Sequence, residues 1–361
     1  IHVNGSRGKS SVARLIAAGL TEGGLAVVGK TTGSAAAVIN TDGSETPIVR
    51  RGAPNIKEQL RVFRRAARQN CEALVIECMA VRPDLQKACE HGIVKATHGV
   101  ITNVRPDHLE VMGPTLDDVA ASLATTVPRR SRLFTAEDRY ACYLADRSRR
   151  ARSEFTLSRP DAVDSTDMAG FAYEEFPENV SLALDVCASV GVERQVALAG
   201  MWKVTPDAGA MTRRRYRHPV EGGREREVEF INGFAANDPD SYRRVWRRLG
   251  LADHPEQVVV LMNIRSDRQR RSKDLAPLLG REMKAAQYVL IGDEPALFAS
   301  LLKRNGIGAD LIHDHSRLEA AELWSALVTM APDGGTIVGV GNIAGIGNRL
   351  LGYLAHEGVP A

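Results

Sequence analysis

Lysine is scarce in this chain: of 47 basic residues only nine are lysines, at positions 9, 30, 57, 87, 95, 203, 273, 284 and 303. None lies between Lys95 and Lys203. Aromatic residues make up 5% of the 361 positions. The arginine clusters at 129–132, 147–152 and 213–217 hold a single aromatic between them, Tyr216, too few for base stacking. They therefore read as solvated faces or loops, with lipid headgroups as the alternative and no nucleic-acid partner expected. No apolar run approaches the roughly 18 residues needed to span a bilayer. The five cysteines form no C-x-x-C pair, so their spacing offers neither a zinc pattern nor a disulfide framework, and a reduced cytoplasmic compartment fits better. A net charge of +3 singles out no polyionic partner.

What the chain does contain is a repeated alternation of short β-branched runs with helical patterns. The runs are GLAVVGK (24–30), EALVIEC (72–78), THGVITN (97–103), VEFING (228–233), QVVVLMN (257–263), QYVLIG (287–292) and GTIVGVG (335–341). Runs apolar on both faces, separated by amphipathic helices, predict parallel sheets of the α/β class. The polar, glycine-containing stretch 207–227 divides the runs into two groups. Two domains are expected, 1–210 and 222–361.

The opening IHVNGSRGKSS orders a strand end, a glycine-rich turn and a helix start. Glycines let a turn aim backbone N–H groups inward, and a helix N-terminus adds unpaired N–H groups and a positive dipole end. Asn4, Gly5, Ser6, Arg7, Gly8, Lys9, Ser10 and Ser11 are thus expected to wrap a phosphate, with Lys9 along it and Ser10 on Mg²⁺. Only the shorter G-x-x-G-K-S form of the phosphate-loop pattern is present.

In open parallel sheets, ligand groups gather at the carboxyl ends of strands. Thr31, Thr32 and Gly33 end one run, Glu77 the next, and Asn103 a third, followed by Asp107, His108 and Glu110. Glu77 is either salt-bridged to an arginine or a Mg²⁺ ligand, because a carboxylate there is costly to bury alone. Ser10, Glu77 and His108 make a candidate metal set that leaves room for phosphate oxygens and water. Farther along, Arg265, Asp267 and Arg268 follow the QVVVLM run; they meet a phosphate or substrate carboxylates, or form an exposed charged loop. VGVGNIAGIG reads as a tight strand-to-helix turn and not as an NAD fingerprint, since no strand and acidic residue follow it.

GSRGKSS, the strand-end Glu77 and ITNVRPDHLEVMG resemble the ATP-binding central domain of the Mur ligase and folylpolyglutamate synthetase superfamily. With GKTTG, ECMAVRPD, TPDAGAM, INGFAAND, NIRSDR and VGVGNIAG, the chain is similar over nearly its full length to the poly-γ-glutamate synthase branch. The resemblance implies a P-loop-type parallel-sheet domain followed by a smaller Rossmann-like α/β domain. It also implies an ATP-dependent amide ligase: ATP converts a carboxylate to an acyl phosphate, which the amine of the next glutamate attacks. Lys9 would stabilise the transferring phosphoryl group, Ser10 and Glu77 would hold Mg²⁺, His108 would take the metal-ligating histidine position, and Asn179 would lie beside the adenine. Asn232 and Asp238 would substitute at the ribose, where many relatives carry an aspartate. Thr32 joins the substrate set. Another departure is the absence of a carbamylatable lysine between the DHLE segment and Asn179. A ligase for a different amino acid or a folate-like tail, and a nucleotide-dependent scaffold or switch, are the alternatives.

The implied partners are glutamate, the growing polymer, and membrane subunits of the PgsC and PgsA type; homo-oligomers stay open. The chain starts without Met and in mid-strand, so an upstream segment is expected, and with it a place at the inner face of the cell membrane.

Overall fold

A computed structural model describes all residues except 33–35, 51, 53, 207–210, 221–223, 235–238, 267–268, 356–358 and 361. The chain divides into two compact units, Ile1–Ala208 and Gly209–Ala361, each with its own sheet.

The first sheet contains β1 (His2–Asn4), β2 (Val27–Thr31), β3 (Ala37–Ile39), β4 (Glu45–Pro47), β5 (Ala73–Glu77), β6 (His98–Ile101), β7 (Arg132–Thr135) and β8 (Glu154–Leu157). Their order is β4-β3-β2-β5-β1-β6-β7-β8. Neighbours from β2 through β8 run parallel, and β3 and β4 are antiparallel additions at one edge. Alternation along each strand explains why these runs are apolar throughout. Val27, Val75, Val100 and Phe134 face a core built with the helices Lys9–Glu22, Pro177–Val190 and Arg194–Trp202. Their neighbours Val28 and Ile76 face Val62 and Ala66 of the helix Glu58–Arg68 on the other side. Likewise Ile101 and Leu133 meet Leu144 of the helix Ala141–Ala151. A parallel sheet covered on both faces needs such runs.

The second sheet contains β9 (Thr212–Val220), β10 (Arg224–Asn232), β11 (Val258–Ile264), β12 (Gln287–Gly292), β13 (Ile312–Asp314), β14 (Gly335–Gly341) and β15 (Val359–Pro360). Their order is β13-β12-β11-β14-β10-β9-β15. Strands β13 through β10 are parallel, with β9 and β15 antiparallel. Val258, Val260, Met262 and Ile264 of β11 pack on one side with Trp246 and Leu279, whereas Val259 and Leu261 pack on the other with Trp324 and Leu350.

Part of the stretch assigned from sequence to a polar boundary forms β9. Arg215 stands opposite Glu229, and Arg217 opposite Glu227. Arg213 pairs with Glu229 at 2.8 Å and Arg217 with Glu227 at 3.3 Å. Among the described side chains of β9 only Tyr216 is buried, edge-on to Trp324 at 5.0 Å between ring centres. Cross-strand ion pairs hide a strand that apolar alternation would otherwise have revealed.

Candidate functional site

The first strand ends at Asn4 and the helix Lys9–Glu22 begins four residues beyond Gly5. Two glycines make that turn. Gly5 has φ +133°, and a Cβ there would fall 2.0 Å from Thr102 Oγ1 and 2.8 Å from Thr102 N. Gly8, with φ +79°, caps the helix in the left-handed region, and the Asn179 amide occupies the space a Cβ would need. The first helical turn carries no acidic residue, so nothing on it offsets the positive end of the dipole or competes for the unpaired N–H groups.

The loop is braced by the carboxyl end of β6. Ser6 N donates to Asn103 O at 3.0 Å, and Arg7 N to Asn103 Oδ1 at 3.0 Å. The carbonyl of Arg7 accepts from Thr102 Oγ1 at 2.6 Å and from Asn103 Nδ2 at 3.1 Å. The Ser6 hydroxyl donates to Arg105 O and accepts from Arg105 N, both at 3.0 Å. Ser6 is thereby committed to holding the loop's shape. Sequence reasoning noted Asn103 at a strand end but gave it no role, and Thr102 carried no signal. Their function follows from β6 lying beside β1.

Asn4 is buried, and its Nδ2 donates to Gln86 Oε1 at 2.8 Å and Thr126 Oγ1 at 3.1 Å. Its side chain belongs to the framework beneath the turn. Lys9 Nζ donates to Gly5 O at 2.6 Å and Ser6 O at 3.2 Å, folding the ammonium over the loop. Ser11 sits half-buried in the first helical turn.

Ser10 and Glu77 come together: Ser10 Oγ donates to Glu77 Oε2 at 2.9 Å. The same oxygen accepts from Thr32 N at 2.6 Å, so Thr32 reaches the site through its backbone. Glu77 is 2% exposed and makes no ion pair to an arginine among the described residues. A hydroxyl and a carboxylate oxygen at this separation are hard donors suited to Mg²⁺ or Mn²⁺.

His108 stands elsewhere on the rim, with a left-handed φ of +43°. Its Nδ1 lies 3.3 Å from Glu110 Oε1 and its Nε2 3.9 Å from Asp107 Oδ1. Asp107 in turn receives Arg7 Nη1 at 3.0 Å. Among the described residues His108 makes no hydrogen bond to Ser10 or Glu77; Arg7 and Asp107 link it to the loop.

Asn179 occupies the first turn of the helix Pro177–Val190 and donates to Glu175 Oε1 at 2.8 Å. Glu175 also accepts from Tyr173 Oη at 3.1 Å. Burial first, then the Glu175 carboxylate, raises the Tyr173 phenol well above its ordinary range, which keeps it a neutral donor.

Below Glu77 lies Lys30, fully buried, with Nζ 3.2 Å from Glu58 Oε1 and 3.6 Å from Met79 Sδ. Burial pulls its pKa down, opposed mainly by Glu58. Lys30 lies in GKTTG and at the end of an apolar run, but neither signal gave it a role.

Asn232 ends β10, and Arg265 follows β11, both in the second unit. Asp238, Asp267 and Arg268 lie outside the described residues. The VGVGNIAGIG segment is the expected strand-to-helix turn, running from β14 to the helix Ile346–Leu354 with positive φ at Gly341 and Gly345.

Comparisons with known proteins agree with this arrangement. The Mur ligase middle domain family matches residues 3–205, and the poly-gamma-glutamate synthase CapB C-terminal domain family matches residues 217–357. The chain is 34% identical over 360 residues to PGA synthase CapB of Bacillus subtilis (strain 168), covering 99% of this chain and 90% of that protein. It is 36% identical over 362 residues to the capsule biosynthesis protein CapB of Bacillus anthracis, covering 99% and 76%. Among solved structures, Mycobacterium tuberculosis folylpolyglutamate synthase complexed with ADP and AMPPCP superposes with a TM-score of 0.69 at 15% identity, over 100% of this chain and 91% of that one. MurF from Acinetobacter baumannii gives 0.66 at 13% identity, over 99% and 76%. At such identities the structural likeness is one of fold.

Proposed function

The chain belongs to the poly-γ-glutamate synthase CapB family, with a Mur ligase middle domain, and from that membership we propose that it is an ATP-dependent γ-glutamyl ligase using Mg²⁺. The observation that carries the proposal is the braced turn Gly5–Ser10 ending with Ser10 Oγ 2.9 Å from Glu77. Turn, helix start and buried carboxylate supply backbone donors for phosphate and hard oxygens for a cation within one unit.

The roles follow from the chemistry of each group. The amides from Gly8 to Ser11 receive phosphate oxygens. Lys9 leaves the neutral carbonyls of Gly5 and Ser6 for the stronger attraction of an anion. Ser10 and Glu77 hold the metal, whose chemistry is to neutralise charge on the phosphates. His108, tied to the loop by Asp107 and Arg7, joins Ser10 and Glu77 as the third metal ligand. Asn179, packed on Gly8, borders the nucleotide. Asn232, Asp238, Arg265, Asp267 and Arg268 form the second domain's share, the arginines gripping glutamate carboxylates. Ile1–Ala208 acts as the nucleotide domain and Gly209–Ala361 as the substrate domain. Glutamate and the growing polymer are the substrates.

Membrane subunits of the PgsC and PgsA type complete the proposal as partners, and with them a location at the inner membrane face. No helix among the described residues is long and apolar enough to cross a membrane, so attachment would run through those partners or a segment outside this stretch. Co-expression followed by co-purification with the two subunits checks this.

The central test incubates purified protein with ATP, Mg²⁺ and single amino acids, measuring ADP release and hydroxylamine-trapped acyl phosphate. Glutamate-stimulated release with a trapped γ-hydroxamate is expected. Release indifferent to every amino acid would sink the ligase assignment in favour of a nucleotide switch.

A further inference from the structure

A second constellation lies in the same unit, and the phosphate site does not use it. His2, Cys78 and Cys89 converge in the core, at 1%, 2% and 0% exposure. One ligand atom from each lies within 4.8 Å of the other two, a grouping unique among the described residues. We propose that these three residues form a buried site for a thiophilic d¹⁰ cation, with Zn²⁺ as the natural occupant.

Four observations support it. First, the distances approach those a metal would impose. Tetrahedral zinc, with Zn–S near ~2.3 Å and Zn–N near ~2.0 Å, separates its ligand atoms by roughly 3.5–3.8 Å. Cys89 Sγ lies 4.0 Å from His2 Nε2, so contraction of under about 1 Å closes the set. Second, the histidine is presented correctly. His2 Nδ1 lies 2.7 Å from Glu90 Oε2, and the other oxygen of Glu90 is fixed by Ala96 N at 2.9 Å. A proton on Nδ1 facing that carboxylate leaves the Nε2 lone pair toward the thiols, as in carboxylate–histidine–zinc arrangements. Third, charge balances. Zn²⁺ enters, both thiols release their protons to solvent, and two thiolates with a neutral imidazole cancel the ion's charge, while the Glu90 carboxylate outside the ligand set is satisfied by His2 Nδ1 and Ala96 N.

Fourth, a polar atom nearby lacks a partner. Gln59 is fully buried, with Nε2 3.9 Å from Cys89 Sγ and 3.2 Å from Glu77 O. Its Oε1 has no hydrogen-bond partner among the described residues. That oxygen, or a water held by it, supplies the fourth ligand. The hard donors of Ser10 and Glu77 select Mg²⁺, and sulfur selects the softer ion, so the two sites discriminate by donor chemistry. The proposal stands on this cluster alone and does not depend on the ligase reading.

The test is an anaerobic titration of the reduced full-length chain with Co²⁺, a spectroscopic substitute for Zn²⁺. One Co²⁺ per chain should bind, with thiolate-to-cobalt charge transfer and the intense d–d bands of a tetrahedral centre. Stoichiometric Zn²⁺ should erase both, and excess Mg²⁺ should leave them in place. A wild-type spectrum without charge transfer overturns the proposal, whatever the variants do. Cys78→Ser and Cys89→Ser should abolish the band, and Cys142→Ser, at an exposed thiol, should retain it. A band that survives in both core variants would also overturn it. Glu90→Gln, which keeps the ligands but weakens the histidine's orientation, should lower Zn²⁺ affinity by about 10-fold or more.

Discussion

At the scale of single residues, the site is a matter of what each side chain has left to offer. Among the described residues Lys9 Nζ donates only to carbonyls of its own loop, so its charge is available to an anion. Lys9→Ala should lower ligase turnover by on the order of 10²-fold or more, the usual cost of removing a preorganised charge donor. Unchanged turnover in the glutamate-stimulated assay would remove Lys9 from the mechanism. Glu77→Gln keeps the hydrogen-bond geometry but removes the charge, so half-saturation by Mg²⁺ should move to higher concentration. An unshifted Mg²⁺ titration would return Glu77 to a structural role. Gly5 and Gly24 separate two effects of adding a methyl group. Both have positive φ, +133° and +89°, but only Gly5 faces a neighbour, Thr102, whereas a Cβ on Gly24 meets nothing within 4 Å. Gly24→Ala should cost about 1 kcal/mol of stability and leave nucleotide affinity alone; Gly5→Ala should distort the loop and abolish measurable ATP binding by calorimetry. Lys9, Ser10 and Glu77 were legible in sequence because they punctuate apolar runs. Thr102 was not, because its contact with Gly5 and its hydrogen bond to the Arg7 carbonyl reach back 97 and 95 positions along the chain.

Elements decide how firmly those residues are held. The helix Lys9–Glu22 presents Ser10 at one end and is clamped farther along by close approaches. A Cβ on Gly200 would lie 2.4 Å from Ala18 O, and one on Gly19 would lie 2.8 Å from Cys187 Sγ. Backbone cannot yield as a flexible side chain can, so Gly200→Ala should destabilise the unit by about 1–3 kcal/mol, as overpacking does. Chemical denaturation would show it as a lower midpoint. Strand β6 carries a pH-sensitive element of its own. Burial, then nearby positive charge including Arg132, holds the His98 imidazole down to about 4, with its ring stacked 6.0 Å from Phe134. The unfolded chain binds this proton near the ordinary value of 6.5, so His98 supports folding fully above that pH. The support fades as pH falls toward about 4. The melting temperature of wild type should therefore drop more steeply than that of His98→Gln between neutral pH and pH about 5; parallel curves would contradict the assignment. At this scale seven of the parallel strands were visible as two-faced apolar runs, whereas the short β7, β8 and β13 were not read and β9 was concealed by its arginines.

For the whole molecule, the division into two units, each with its own core, has a direct consequence. All described contacts of the phosphate loop lie in Ile1–Ala208, so a fragment ending near residue 206 should bind ATP without forming product. The complementary fragment from residue 211 should unfold cooperatively by itself, because both faces of its sheet are packed within it. Calorimetry of each piece checks both outcomes; a non-cooperative second fragment would show that its core depends on the first. By itself the sequence determined the α/β class, the phosphate-loop turn and the strand-end carboxylate, because strand periodicity and glycine conformation are local properties of the chain. Only the tertiary structure decided that Asn4 is spent in the framework, that Thr102 and Asn103 shape the loop, and that His2 and two widely spaced cysteines meet. Each of those outcomes depends on which strands become neighbours, and adjacency in a parallel sheet is set by crossovers that no short stretch of sequence encodes.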